Sequence, residues 1–164
     1  MEKRIATIDH ITGRRASGYA ARFNTRAKIG SFSEEIKPGA FDLGKDILCL
    51  LDHDPGKVLG RTKSSTLTLR TDDQGLFFEL ELPDTAAGRD VQELGRRGDL
   101  GGMSFGFLVP DGGETWEGDN RILNKIDLRE ISIISAWPAY PETSVSVRSR
   151  KASNRFTRYM ESVS

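Results

Sequence analysis

Thr66-Leu67-Thr68-Leu69-Arg70-Thr71-Asp72-Asp73-Gln74-Gly75-Leu76-Phe77-Phe78-Glu79-Leu80-Glu81-Leu82 carries the clearest β pattern in the chain. Leu67 and Leu69 alternate with threonines, and Leu76, Phe78, Leu80 and Leu82 alternate with Phe77, Glu79 and Glu81. Successive side chains of a strand point to opposite faces, so each run builds one apolar face. Asp72-Asp73-Gln74-Gly75 between them is a turn signal, and the whole reads as a β-hairpin.

Working outward, most of the chain reads as short strands separated by Gly, Pro, Asp and Asn. Expected strands are 18–23, 47–51, 57–61, 102–109, 121–128 and 130–135 beside the hairpin. The continuous run Ile47-Leu48-Cys49-Leu50-Leu51 suits a strand buried on both faces. One helix stands out after Pro83. Asp84 or Thr85 can cap it, Ala87, Val91 and Leu94 recur at spacings of four and three, and Gly98 suits its left-handed end. Phe32 to Phe41 is expected as a loop with a short helix near Pro38, and Asp111 to Asn120, with three glycines, as a loop. About seven short strands and a few helices predict a mainly β (α+β) fold, a closed or nearly closed β-barrel.

The chain has 164 residues, enough for one domain with a proper core. Its 24 acids balance its 24 bases, which argues against a general nucleic-acid binder. No apolar run is long enough for a transmembrane helix, and Met1-Glu2-Lys3-Arg4 lacks the apolar stretch of a signal peptide. One cysteine, Cys49, permits no intrachain disulfide and suits a reducing compartment. One Cys and two His give no cluster with ligand spacing, so no metal or cofactor is expected. From Arg148 to Ser164 there are five bases against one acid, read as a flexible basic tail (149–164) beyond the folded domain (1–148).

The chemistry centres on Ser104, in Gly101-Gly102-Met103-Ser104-Phe105-Gly106-Phe107, and His53, in Leu50-Leu51-Asp52-His53-Asp54-Pro55. A serine hydroxyl needs a neighbouring base to become a nucleophile, and histidine is the usual one near neutral pH. The bland readings are a small polar strand residue and a turn histidine bonded to Asp52 or Asp54. His10 is the lesser candidate and equally suits the surface. Glu130 interrupts the apolar run Ile131-Ser132-Ile133-Ile134-Ser135, so it needs a partner: an imidazole it orients, or Arg129, Arg121 or Arg61 in a salt bridge. Cys49, inside its apolar run, is expected to be inert. Arg96 and Arg97 either complement the helix dipole or steady an oxyanion or a substrate carboxylate. Trp116 and Trp137 read as packing or loop anchors. Gly102-Met103-Ser104-Phe105-Gly106 matches Gly-x-Ser-x-Gly by letter, but the strand continues through Val109 with no helix after it, which excludes the α/β-hydrolase elbow.

Several segments together resemble the prohead proteases of tailed bacteriophages. They are, in order, Phe32 to Phe41 (Phe-Ser-Glu-Glu-Ile-Lys-Pro-Gly-Ala-Phe), Leu51-Asp52-His53-Asp54-Pro55, Val58-Leu59-Gly60-Arg61, Asp73-Gln74-Gly75-Leu76, Arg97 to Phe107, Glu130-Ile131-Ser132 and Pro138-Ala139-Tyr140-Pro141. The resemblance covers roughly residues 15 to 148. It implies a barrel protease similar to the herpesvirus assemblins, with Ser104 as nucleophile, His53 as general base and Glu130 as third member. Assemblins carry a second histidine in that third role. His10 falls outside the matched region, so here an acid takes the role or the site is a dyad. The implied function is capsid maturation inside the procapsid, in the host bacterial cytoplasm. The implied partners are the major capsid protein and its scaffolding segment, together with a homodimer or higher oligomer; nucleic acid and membrane are not expected. The basic tail would be a targeting segment or the place of self-cleavage. Two other readings are a non-catalytic capsid-assembly scaffold of the same fold and an esterase using the same pair.

Overall fold

A computed structural model describes residues 1–6, 8 and 10–136. Its strands are β1 (Glu2–Ala6), β2 (His10–Thr12), β3 (Arg15–Arg22), β4 (Ala27–Ile29), β5 (Phe32–Ile36), β6 (Phe41–Asp42), β7 (Leu48–Leu51), β8 (Asp54–Arg61), β9 (Leu67–Thr71) and β10 (Gly75–Glu81). Helix α1 (Ala86–Arg97) follows, and then β11 (Gly102–Leu108), β12 (Glu114–Glu117), β13 (Asn120–Leu123) and β14 (Ile126–Ile134). The fold is mainly β with one helix among the described residues.

The hairpin forms as its alternation requires. β9 and β10 pair antiparallel from Leu76↔Thr71 to Leu80↔Leu67, and Leu76, Phe78, Leu80 and Leu82 are all buried. The Asp72 carboxylate closes the turn by accepting from the backbone N–H groups of Gln74 and Gly75. The helix starts where Thr85 accepts from the Gly88 N–H and stops at Gly98, whose φ of 77° is left-handed.

The strands fall into three sheets. One has the order β1-β11-β14-β7-β8, with β6 also pairing β14; the others run β2-β3-β10-β9 and β12-β13-β5-β4. The described strands number fourteen rather than about seven, and the closed or nearly closed barrel expected from the sequence is not found in this pairing. Among the described residues no ladder closes a sheet on itself. The first two sheets approach where β10 meets β8 and where β3 meets β11, without pairing there. Gly60 permits one approach: a Cβ there would lie 2.6 Å from Leu80 Cδ1. The sheets share one core that includes Ile47, Leu59, Phe78, Met103, Phe107, Leu128 and Ile131.

Three local expectations need correction. Phe32–Ile36 is a strand, not a loop, and pairs with both β4 and β13. Its buried residues alternate, Phe32, Glu34, Ile36, but the middle one is a charge, which breaks the apolar pattern. Glu114–Glu117 inside the expected glycine loop pairs with β13. The expected strand 121–128 is two strands, because Asn124 and Lys125 turn away and donate their N–H groups to the Gly113 carbonyl. The basic tail, Trp137 and Pro138 to Pro141 lie outside the described residues.

Candidate active site

β11 sits between β1 and β14, and alternation splits its side chains. Met103, Phe105 and Phe107 enter the core, leaving Ser104 and Gly106 on the other face. Ser104 lies directly opposite Ser132, and Gly106 opposite Glu130. β14 can present Glu130 and Ser132 there only because its register slips between Gly106 and Phe107. Ile126 and Leu128 are core residues; strict alternation would send residues 130 and 132 inward after them. The bulge at exposed Arg129 shifts the phase by one, so Ile131 and Ile133 continue the core and Glu130 and Ser132 face Ser104.

His53 arrives from another direction. Asp52 and His53 are the two central residues of the turn joining β7 to β8, with φ of 53° and 58°. Two residues at positive φ define the tight hairpin turn that Asn, Asp and Gly normally fill, and a histidine there carries backbone strain. The end of β14 holds the turn in place. Asp52 N–H donates to the Ile133 carbonyl, the Asp52 carboxylate accepts from the N–H and hydroxyl of Ser135, and His53 N–H donates to Ser132 Oγ at 3.2 Å.

The ring is thereby set between acid and hydroxyl. His53 Nδ1 lies 2.5 Å from Glu130 Oε1, and His53 Nε2 lies 2.9 Å from Ser104 Oγ. With Glu130 ionised its carboxylate can only accept, and in that state Nδ1 carries the proton and Nε2 offers its lone pair to the Ser104 O–H. Glu130 is 5% exposed, and its second oxygen accepts from the Ser132 hydroxyl at 2.7 Å. Both oxygens of this buried carboxylate are thus engaged, as burial of a charge demands.

The structure therefore brings together all three residues singled out in the sequence. The alternative partners of Glu130 are engaged elsewhere: Arg129 with Asp127, Arg61 with Asp46, Arg121 with Glu2, Glu34 and Glu114. Arg96 and Arg97 pair with Glu93 and Asp99 at the surface. His10 belongs to β2, in a different sheet from Ser104. Trp116 packs edge-to-face on Phe32. Cys49 is buried; loss of solvation pushes its thiol well above the ordinary range, and the Glu130 charge adds to this. The residue that sequence reasoning left without a task is Ser132, whose only signal was its place two residues after Glu130.

A hydroxyl, an imidazole and a carboxylate in line can activate a serine for attack on a carbonyl. A family model described as caudovirus prohead serine protease matches residues 4–157, and the chain belongs to that family. Comparison with curated proteins and with solved structures gave no match.

Proposed function

We propose that this protein is a serine endopeptidase that matures a phage procapsid, with Ser104 as nucleophile, His53 as general base and Glu130 as the group that orients and stabilises the imidazole. The observation that carries the reading is His53 spanning Glu130 and Ser104 at 2.5 and 2.9 Å in a chain of the prohead protease family. In acylation, Ser104 Oγ bonds to the scissile carbonyl carbon as His53 Nε2 takes its proton. The proton then passes to the amine as the C–N bond breaks. Water repeats the sequence on the acyl-enzyme and restores the serine. Glu130 stays ionised and supports the transient imidazolium. Oxyanion stabilisation falls to backbone N–H groups, and removal of one such donor typically costs about 10²–10³ in rate.

The substrates in this reading are the scaffolding segment of the capsid protein and then the protease itself, with the basic segment after Arg148 as the targeting or self-cleavage element. The work takes place inside the procapsid, within the host cytoplasm. In this reading the β3–β11 and β8–β10 approaches complete a barrel around the shared core. The test is co-expression of the full chain, native or Ser104→Ala, with the capsid protein of its own phage, read by intact mass. Trimming by the native chain alone is the expected result. No trimming by either, with the protease inside the particle, would favour a scaffold role.

A further inference from the structure

A carboxylate has two equivalent oxygens on a side chain that turns freely, so something must dictate which oxygen meets the imidazole. At Glu130 two features do so, neither of them a member of the relay. On one side, Ser132 Oγ donates to Glu130 Oε2 at 2.7 Å. On the other, Gly106 lies directly across the ladder, and a Cβ there would stand 2.6 Å from Oε1, the oxygen that meets His53 Nδ1. Only a residue without a side chain leaves that place to the carboxylate.

Ser132 has a second contact. Its oxygen accepts the N–H of His53, whose φ of 58° is held against its natural preference. One hydroxyl, itself wholly buried, therefore fixes the acid and the backbone of the base together. Residues two apart on a strand share a face, so the Glu-x-Ser spacing places both groups on the Ser104 side.

We propose that Ser132 and Gly106 are positioning residues: they form a seat that presents one oxygen of Glu130 to His53 and keeps the relay in line. The inference rests on the serine-protease reading of the same site. It predicts an unusual split at Gly106. The obstructed atom is the end of a flexible side chain, which can swing aside, so Gly106→Ala should misdirect the acid while leaving the fold nearly intact.

The test uses the full chain as wild type, Ser132→Ala and Gly106→Ala. The rate at which diisopropyl fluorophosphate labels the protein is followed by intact mass, and melting temperature is measured alongside. The far-downfield proton resonance of His53 Nδ1–H is recorded for each, and again in a Ser104→Ala background. Loss of a partner that orients a metal-ligating side chain typically costs about 10–100-fold, and a loss of that order is expected here. Both variants should label that much more slowly, Gly106→Ala with its melting temperature near wild type, and both should lose or shift the resonance upfield. Labelling within about twofold of wild type in both variants, with an unchanged resonance, would overturn the proposal. So would slow labelling of Ser132→Ala that merely tracks its loss of folding while Gly106→Ala stays at full rate. If the wild type itself is not labelled, the protease reading fails, and the resonance in the Ser104→Ala background still decides whether the seat exists.

Discussion

Ser104 and Ser132 face each other across the β11–β14 ladder, so the proposed nucleophile and the residue that bonds to Glu130 are one cross-strand pair. His53 is the only member of the proposed relay brought from outside these two strands, and its turn is tied to the end of β14 by hydrogen bonds to Ser132 and Ile133 and from Ser135 just beyond it. The site is one face of a two-strand ladder with an imidazole clamped over it.

Glu130→Gln keeps the size of the side chain but removes its charge and lets the group donate to His53. The imidazole is then free to take the other tautomer, with its proton toward Ser104. The loss in kcat should approach the 10⁴-fold order known for an acid-to-amide change in such relays, with KM little altered. Peptide-cleavage kinetics measure it; a loss below tenfold would reduce the site to a serine–histidine dyad.

Asp52→Ala removes the carboxylate that accepts both the N–H and the hydroxyl of Ser135. The group lies at the surface, so the cost in stability should be about 1 kcal/mol by denaturant titration. The His53 turn loses an anchor, and kcat should fall more than KM rises. A variant with unchanged kcat would mean that the remaining bonds suffice to hold the turn.

Acid should loosen β1. Burial pushes the Glu2 carboxyl up, but the Arg121 hydrogen bond, with the Arg121 and Arg4 charges, outweighs it and holds the group below its ordinary value of 4.5. A carboxyl depressed by folding stabilises the protein above its unfolded value and loses that contribution as pH falls through the folded one. Melting temperature should therefore drop below about pH 4.5, and Glu2→Gln should flatten part of that drop. Parallel pH curves for the two proteins would show that Glu2 contributes nothing by this route.

Cys49 should resist alkylation. It pairs with Ile131, is fully buried, and its thiol is pushed up by desolvation. Iodoacetamide should leave the native protein unmodified over the time that completes reaction of the denatured chain, read by mass. Rapid native labelling would mean that β7 opens and would make the thiol a candidate nucleophile.

The parts of the fold with ordinary chemistry were legible in the sequence. The hairpin ending at Leu82 and the helix between Thr85 and Gly98 follow from alternation, capping and a left-handed glycine. β5 was hidden because its buried middle residue, Glu34, is a charge that bonds to Arg4 and Arg121 from distant strands. β1 was hidden for the same reason, since its Glu2 and Arg4 belong to that cluster. Barrel closure was not legible, because short strands signal a curved β fold but not which edges pair. At the site, Glu130 was visible as a charge in an apolar run. The bulge at Arg129 that aims it was not, although two adjacent polar residues within a core strand are the mark such a bulge leaves. The task of Ser132 was not legible, because a serine announces no partner and its place two residues after Glu130 was the only signal.

The most direct test of the central claim is to locate the covalent adduct. Wild-type and His53→Ala proteins are treated with diisopropyl fluorophosphate, digested and mapped by mass. One adduct is expected, on Ser104, lost or slowed by orders of magnitude without His53. An adduct on another residue, or one on Ser104 that forms equally well without His53, would contradict the claim.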